Sequence, residues 1–168
     1  GKGHSLALRS DGTVWAWGAN LKGQLGDGTN TDSNVPVKVT ETDAQSMISI
    51  ACGDDFSLAL RTIGRLRSWG ANTNGQLGDG TNTDSNVPVT VSNITTVRAI
   101  GCGGSHCLAV LSDGSVYAWG LNSSGQLGIN SLLAQNTPKK VTGLKDVIAL
   151  DGGGLHSLAV KTDGAVDA

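Results

Sequence analysis

Trp17-Gly18-Ala19-Asn20-Leu21-Lys22-Gly23-Gln24-Leu25-Gly26 begins a segment that the chain writes three times. It returns as Trp69-Gly70-Ala71-Asn72 with Gly75-Gln76-Leu77-Gly78, and again as Trp119-Gly120-Leu121-Asn122 with Gly125-Gln126-Leu127-Gly128. The tryptophans at 17, 69 and 119 stand 52 and then 50 residues apart. The stretch from Gly23 to Val37 is identical to that from Gly75 to Val89. Self-similarity at such a period marks a repeat architecture, in which each unit buries its apolar face only against its neighbours.

Ahead of the first tryptophan lie His4-Ser5-Leu6-Ala7-Leu8, then Ser10-Asp11-Gly12, then Thr13-Val14-Trp15-Ala16-Trp17. An apolar run, Asp-Gly and a second apolar run predict a hairpin, because Asp-Gly adopts the positive-φ turns that match strand twist. Asp113-Gly114 and Asp163-Gly164 repeat the signal. Val35–Val39 and Met47–Ala51 supply two further short strands, with counterparts at Val87–Val91 and Val97–Gly101. No helical periodicity competes with this reading. Four strands in a unit of about 50 residues predict a propeller blade.

The expected fold is therefore all-β, a partial β-propeller of about three four-stranded antiparallel blades. Residues 1–168 form one such unit, with periods at 4–55, 56–105 and 106–155 and an incomplete one at 156–168. Three and a quarter units do not close a ring, so an open arc and self-association through open blade edges are expected. The two extra residues of the first period fall in the polar segment Thr40–Ser46, as on a surface loop.

Composition narrows the function classes. The chain has 25 Gly and only 15% charged residues, and its net charge of −2 gives no basic surface for nucleic acid. No apolar run is long enough for a membrane helix, so no membrane insertion is expected. Cys52, Cys102 and Cys107 are odd in number and read as small apolar residues.

Trp-Gly-x-Asn-x-x-Gly-Gln-Leu-Gly together with His-Ser-Leu-Ala-Leu-x-x-Asp-Gly-x-Val-Trp resembles the regulator of chromosome condensation repeat family over essentially the whole chain. The resemblance implies a propeller of about seven blades, of which this sequence would be a fragment. The founding member is a guanine-nucleotide exchange factor, so regulation of a small GTPase is one implied function. The wording Gly26-Asp-Gly-Thr-Asn-Thr-Asp-Ser-Asn-Val-Pro-Val37 is similar to bacterial members, which implies a secreted or cell-surface setting.

Residues that recur in phase belong first to the framework, since a function needs one site and a blade framework needs every copy. Trp17, Trp69 and Trp119 read as packing anchors, and Gly18, Gly70 and Gly120 as positions of special backbone geometry. His4, His106 and His156 occupy one matching position per unit, where Phe56 replaces the fourth; a residue that Phe replaces reads as packing or hydrogen bonding rather than a metal ligand. Asp27–Asn34 and its copy 79–86 lack a ligand at the third position and read as Asx-rich turns.

Specific function belongs where copies disagree. The second hairpin turns through Thr62-Ile63-Gly64, and Arg61, Arg65 and Arg67 gather on it; Arg67 holds the place of Trp15 and Tyr117. Arginines recognise carboxylate or phosphate, and exposed aromatics favour interfaces, so these five are the candidate binding residues. No catalytic set, metal site or cofactor motif stands out from the repeat. The leading expectation is a non-catalytic scaffold for a protein partner or ligand, with GTPase regulation and an enzyme at the propeller mouth as alternatives.

Overall fold

The structure, a computed structural model, describes residues 1–40 and 46–168. Most of the Thr40–Ser46 insertion therefore lies outside the described residues. The fold is all-β, with fourteen strands in four antiparallel sheets among the described residues. The first sheet holds β1 (His4–Leu8), β2 (Val14–Gly18) and β3 (Ser33–Lys38). The second holds β4 (Met47–Cys52), β5 (Phe56–Arg61), β6 (Leu66–Gly70) and β7 (Ser85–Thr90). The third holds β8 (Val97–Cys102), β9 (His106–Leu111), β10 (Val116–Gly120) and β11 (Gln135–Lys140). β12 (Val147–Gly152), β13 (Ser157–Lys161) and β14 (Val166–Asp167) form the last.

Two complete blades are thus flanked by two three-stranded sheets in an open arc. β4, β8 and β12 touch in succession and form the inner edge, with β1 against β4. Period and blade differ by one strand. Residues 56–105 carry β5, β6, β7 and β8, yet β8 pairs with β9 in the next sheet. The polar crossover Ser92–Thr96, tucked in by buried Ile94, carries the chain from the outer edge of one blade to the inner edge of the next.

The same irregularities recur from sheet to sheet. The inner pair slips at Met47/Ser49, Val97/Ala99 and Val147/Ala149, and the pairing of the third strand with the outer strand slips at Ala16/Gly18, Ser68/Gly70 and Ala118/Gly120. Bulges at the same place in every unit increase twist and set how the blades lean on one another. The apolar core lies between sheets rather than within any one. Val14, Ala16 and Leu25 of the first sheet pack with Ala59 and Trp69 of the second. Phe56, Leu58 and Leu60 of the second pack with Cys107, Ala109 and Trp119 of the third.

Candidate functional site

The joints between blades absorb most of the recurring chemistry. Trp69 and Trp119 are completely buried, and their indole N–H groups donate to the main-chain oxygens of Gln24 (2.9 Å) and Gln76 (3.0 Å) in the preceding blade. Gly26 and Gly78 lie directly beneath these rings: a Cβ at either would stand within 2.7 Å of the indole. Trp17, with no blade on that side among the described residues, is half-buried. Gly18, Gly70 and Gly120 hold φ of 110°, 108° and 101° at the bulges.

The histidines serve the same joints. Ser57 Oγ donates to Gln24 O at 2.8 Å, and Ser157 Oγ donates to Gln126 O at 2.7 Å. Each hydroxyl has one proton, so the histidine nitrogen 2.9 Å away, His4 Nε2 or His106 Nε2, is the donor to that oxygen. Nε2 of both rings therefore carries a proton, and both Nδ1 atoms are buried with no hydrogen-bond partner among the described residues. In the middle joint Phe56 takes the histidine position and Cys107 the serine position, its thiol donating to Gln76 O at 3.4 Å. A ring that cannot donate is matched by a group that needs no donor. His156, with no further blade among the described residues to stack on it, is exposed.

Burial lowers the His4 pKa from 6.5 to about 4 and lowers that of His106 in the same direction. A histidine neutral in the fold and protonated when unfolded contributes stability that is complete above about pH 6.5. That stability declines as the pH falls towards the depressed folded value. The denaturation midpoint is accordingly expected to drop between pH 6.5 and 4. The double variant His106→Phe, Ser157→Cys, which copies the Phe56–Cys107 joint, should fold and show a shallower drop. Urea titrations across this range check it, and an unchanged pH slope in the double variant counts against the assignment.

The candidates from the second hairpin are placed differently from one another. Arg61 is 4% exposed. Arg67 is half-buried and donates to Thr90 Oγ1 on the neighbouring β7. Arg65 alone projects into solvent. Tyr117 packs against the joint core between the second and third blades. Trp15 is half-buried on the outer face of the first sheet, with the Arg9 guanidinium 5.9 Å from its ring centre and its N–H on Thr13 Oγ1 at 3.3 Å. Arg61, Arg65 and Arg67 thus share one hairpin of the second sheet, while Trp15 lies on the first sheet and Tyr117 on the third. Cys102 and Cys107 are buried, and burial pushes the Cys107 thiol up.

One rim of the arc is formed by the loops 19–32, 53–55, 71–84, 103–105, 121–134 and 153–155. His4 opposes Gly18 in the register, so strand starts and the loops after Gly18, Gly70 and Gly120 share this face. In the first two blades the Asx-rich turns of this rim are closed by hydrogen bonds, although Leu21 of the first is 79% exposed. Asn20 Nδ2 donates to Asp27 and to the Thr29 and Thr31 carbonyls, Asn20 N–H to Asp32, and Asn72 repeats the set with Asp79, Thr81, Thr83 and Asp84. Asn86 and Asn136 tie these loops to the next blade through Gly28 O and Gly80 O. In the third blade Leu132, Leu133 and Ala134 replace Asn82, Thr83 and Asp84. Leu132 is 66% and Leu133 72% exposed, with Leu155 also exposed on the same rim. Sequence reading passed over this pair. The signal that would have found it is a copy that turns apolar where its sisters are polar.

Stacked four-stranded antiparallel blades, joined by buried tryptophans and leaving one rim of variable loops, define a β-propeller repeat protein. The RCC1-like domain model matches residues 1–168, and the chain belongs to that family. It is 42% identical over 81 residues to the ultraviolet-B receptor UVR8 of Arabidopsis thaliana, a match covering 48% of this chain and 18% of the receptor. Among solved structures it is similar to Prp20p of Saccharomyces cerevisiae, studied for its binding to Gsp1p and histones (TM-score 0.86, 24% identity, 95% of this chain and 42% of that one). It is likewise similar to yeast RCC1 (Prp20) bound to Kap60 (TM-score 0.84, 27% identity, 98% and 39%). The chain thus spans less than half the length of these relatives.

Proposed function

We propose that this chain is part of a non-catalytic propeller scaffold that binds a protein through the rim of its third blade. The observation that carries the reading is the replacement of a hydrogen-bonded Asx turn by exposed Leu132 and Leu133, while the recurring tryptophans and the buried histidines are spent on blade joints. Adjacent exposed leucines cost solubility and contribute nothing to the core, and an apolar patch rimmed by polar loops is the usual form of an interaction site. Kap60 bound to yeast RCC1 is a precedent within the fold for a protein partner. A setting outside the cell or at its surface is supported only by the wording of Gly26–Val37.

The test compares the parent with Leu132→Asp, Leu133→Asp in quantitative pull-downs from the source organism. Because both side chains are exposed, the variant should keep its melting temperature and lose retained partner by about tenfold or more. Equal retention by both chains sinks this surface. The alternative, regulation of a small GTPase, predicts accelerated nucleotide release from one member of a GTPase panel. On the scaffold reading release is unchanged throughout.

A further inference from the structure

Cys102, the last residue of β8, stands directly opposite Cys107 on β9, and their sulfurs are 3.7 Å apart. The next pair towards the turn is hydrogen-bonded, Gly103 N–H donating to His106 O at 2.9 Å. Bonded and non-bonded pairs alternate along an antiparallel ladder, so Cys102 and Cys107 form a non-bonded pair, the kind whose Cα atoms approach to about 4.5 Å. That separation lies within the span of a disulfide, so closing the bond asks for side-chain rotation rather than movement of a strand.

The pair has no counterpart in the sister sheets, where Cys52 faces Ser57 and Gly152 faces Ser157. Each of those serines donates to a main-chain oxygen of the preceding blade. Cys107 does the same through its thiol, to Gln76 O, which also receives the Trp119 N–H. One sulfur thus belongs both to a cross-strand thiol pair and to the joint between the second and third blades.

We propose that Cys102 and Cys107 are a modification site that closes to a reversible disulfide, through which a low-molecular-weight disulfide or a peroxide acts on this joint. Cys102 is 7% exposed and Cys107 completely buried, with its thiol pushed up by burial, so Cys102 begins the exchange. Its deprotonated sulfur attacks a reagent disulfide, bonds to one half and expels the other, which takes up the proton Cys102 lost. The Cys107 sulfur then attacks Cys102 Sγ, and the second half leaves with the Cys107 proton. Two protein thiols are oxidised to one S–S bond while one reagent disulfide is reduced to two thiols. Hydrogen peroxide gives the same bond through a sulfenic acid on Cys102, releasing one water at each step. Closure removes the thiol proton from Gln76 O and leaves Trp119 as its one donor among the described residues. The site is independent of the Leu132–Leu133 rim.

The test exposes the unmodified, natively folded chain to oxidised glutathione or to hydrogen peroxide, then denatures it and blocks the remaining thiols with iodoacetamide. The expected product has the tryptic peptide 99–139, which holds both cysteines, lighter by two hydrogens and unlabelled, with Cys52 outside the bond. In NMR spectra the Trp119 indole N–H and the Gln76 and Leu77 amides should shift on oxidation and return with dithiothreitol. Cys107→Ser restores the serine of the sister joints and should fold, and in it those signals should no longer respond to either oxidant. Both thiols still labelled after both oxidants, a disulfide that forms only in urea, or glutathione held on Cys102 beside a free Cys107 overturns the proposal. An internal disulfide that leaves the Trp119 and Gln76 signals unmoved, or the same shifts in Cys107→Ser, overturns the link to the joint.

Discussion

Replacing Trp119 with alanine is expected to cost about 3–5 kcal/mol of folding stability, enough to leave a marginal domain largely unfolded at ordinary temperatures. The ring is completely buried between the second and third blades, and its N–H donates to Gln76 O, its one partner among the described residues. Truncation therefore opens a cavity against Leu77 and Gly78 and strips a buried carbonyl of its donor, two costs that add. Trp17→Ala is the internal control. Trp17 occupies the same position in its repeat but is half-buried, and its N–H has no partner among the described residues. Its loss should cost about 1 kcal/mol or less. Urea unfolding of both variants, read by circular dichroism, checks the contrast. Equal costs would mean that the tryptophan stabilises its own sheet rather than the joint.

That contrast also shows what the sequence could and could not disclose. The period, the Asp-Gly hairpins and the apolar alternation around Trp15 to Trp17 each fix local structure, and they agreed on short antiparallel strands in units of one size. The phase was not legible, because a periodic pattern has the same period wherever it is begun. Only the pairing of β8 with β9 reveals that the crossover at Ser92–Thr96, and not the approach to His106, divides one blade from the next. The joints were half legible. Trp and His recur, but their partners lie one period away, so the exchange of His and Ser for Phe56 and Cys107 becomes meaningful only once Gln76 O is seen to receive the thiol. The burial of the arginines was not legible, because charge on a strand is read as surface. Arg61 lies where the hairpin leaves little of it exposed, and Arg67 reaches from β6 to Thr90 on the neighbouring β7. Side-chain burial in a stacked array depends on the neighbouring unit, which no single repeat describes.

Gly120→Ala is the second large effect, and here geometry rather than hydrophobic area decides. Gly120 sits at the bulge between β10 and β11 with φ 101°, a conformation that L residues rarely adopt. A Cβ there would stand 2.5 Å from Ser105 O and 2.8 Å from His106 Cα. Both obstacles are backbone, so neither can rotate away. Moving them would pull β9 from its pairing with β10 and disturb the His106 contact with Ser157. Backbone strain and overpacking each cost about 1–3 kcal/mol, and together they predict a loss of about 3–5 kcal/mol. Gly143→Ala separates the two terms, since Gly143 has φ 84° and nothing within 4 Å of its added Cβ. It should lose only the conformational part, about 1–2 kcal/mol. Denaturant midpoints of the two variants decide between them. If Gly120→Ala costs no more than Gly143→Ala, the close approach of strand and loop at the bulge is not what fixes the blade, and the shared geometry of Gly18, Gly70 and Gly120 would need another cause.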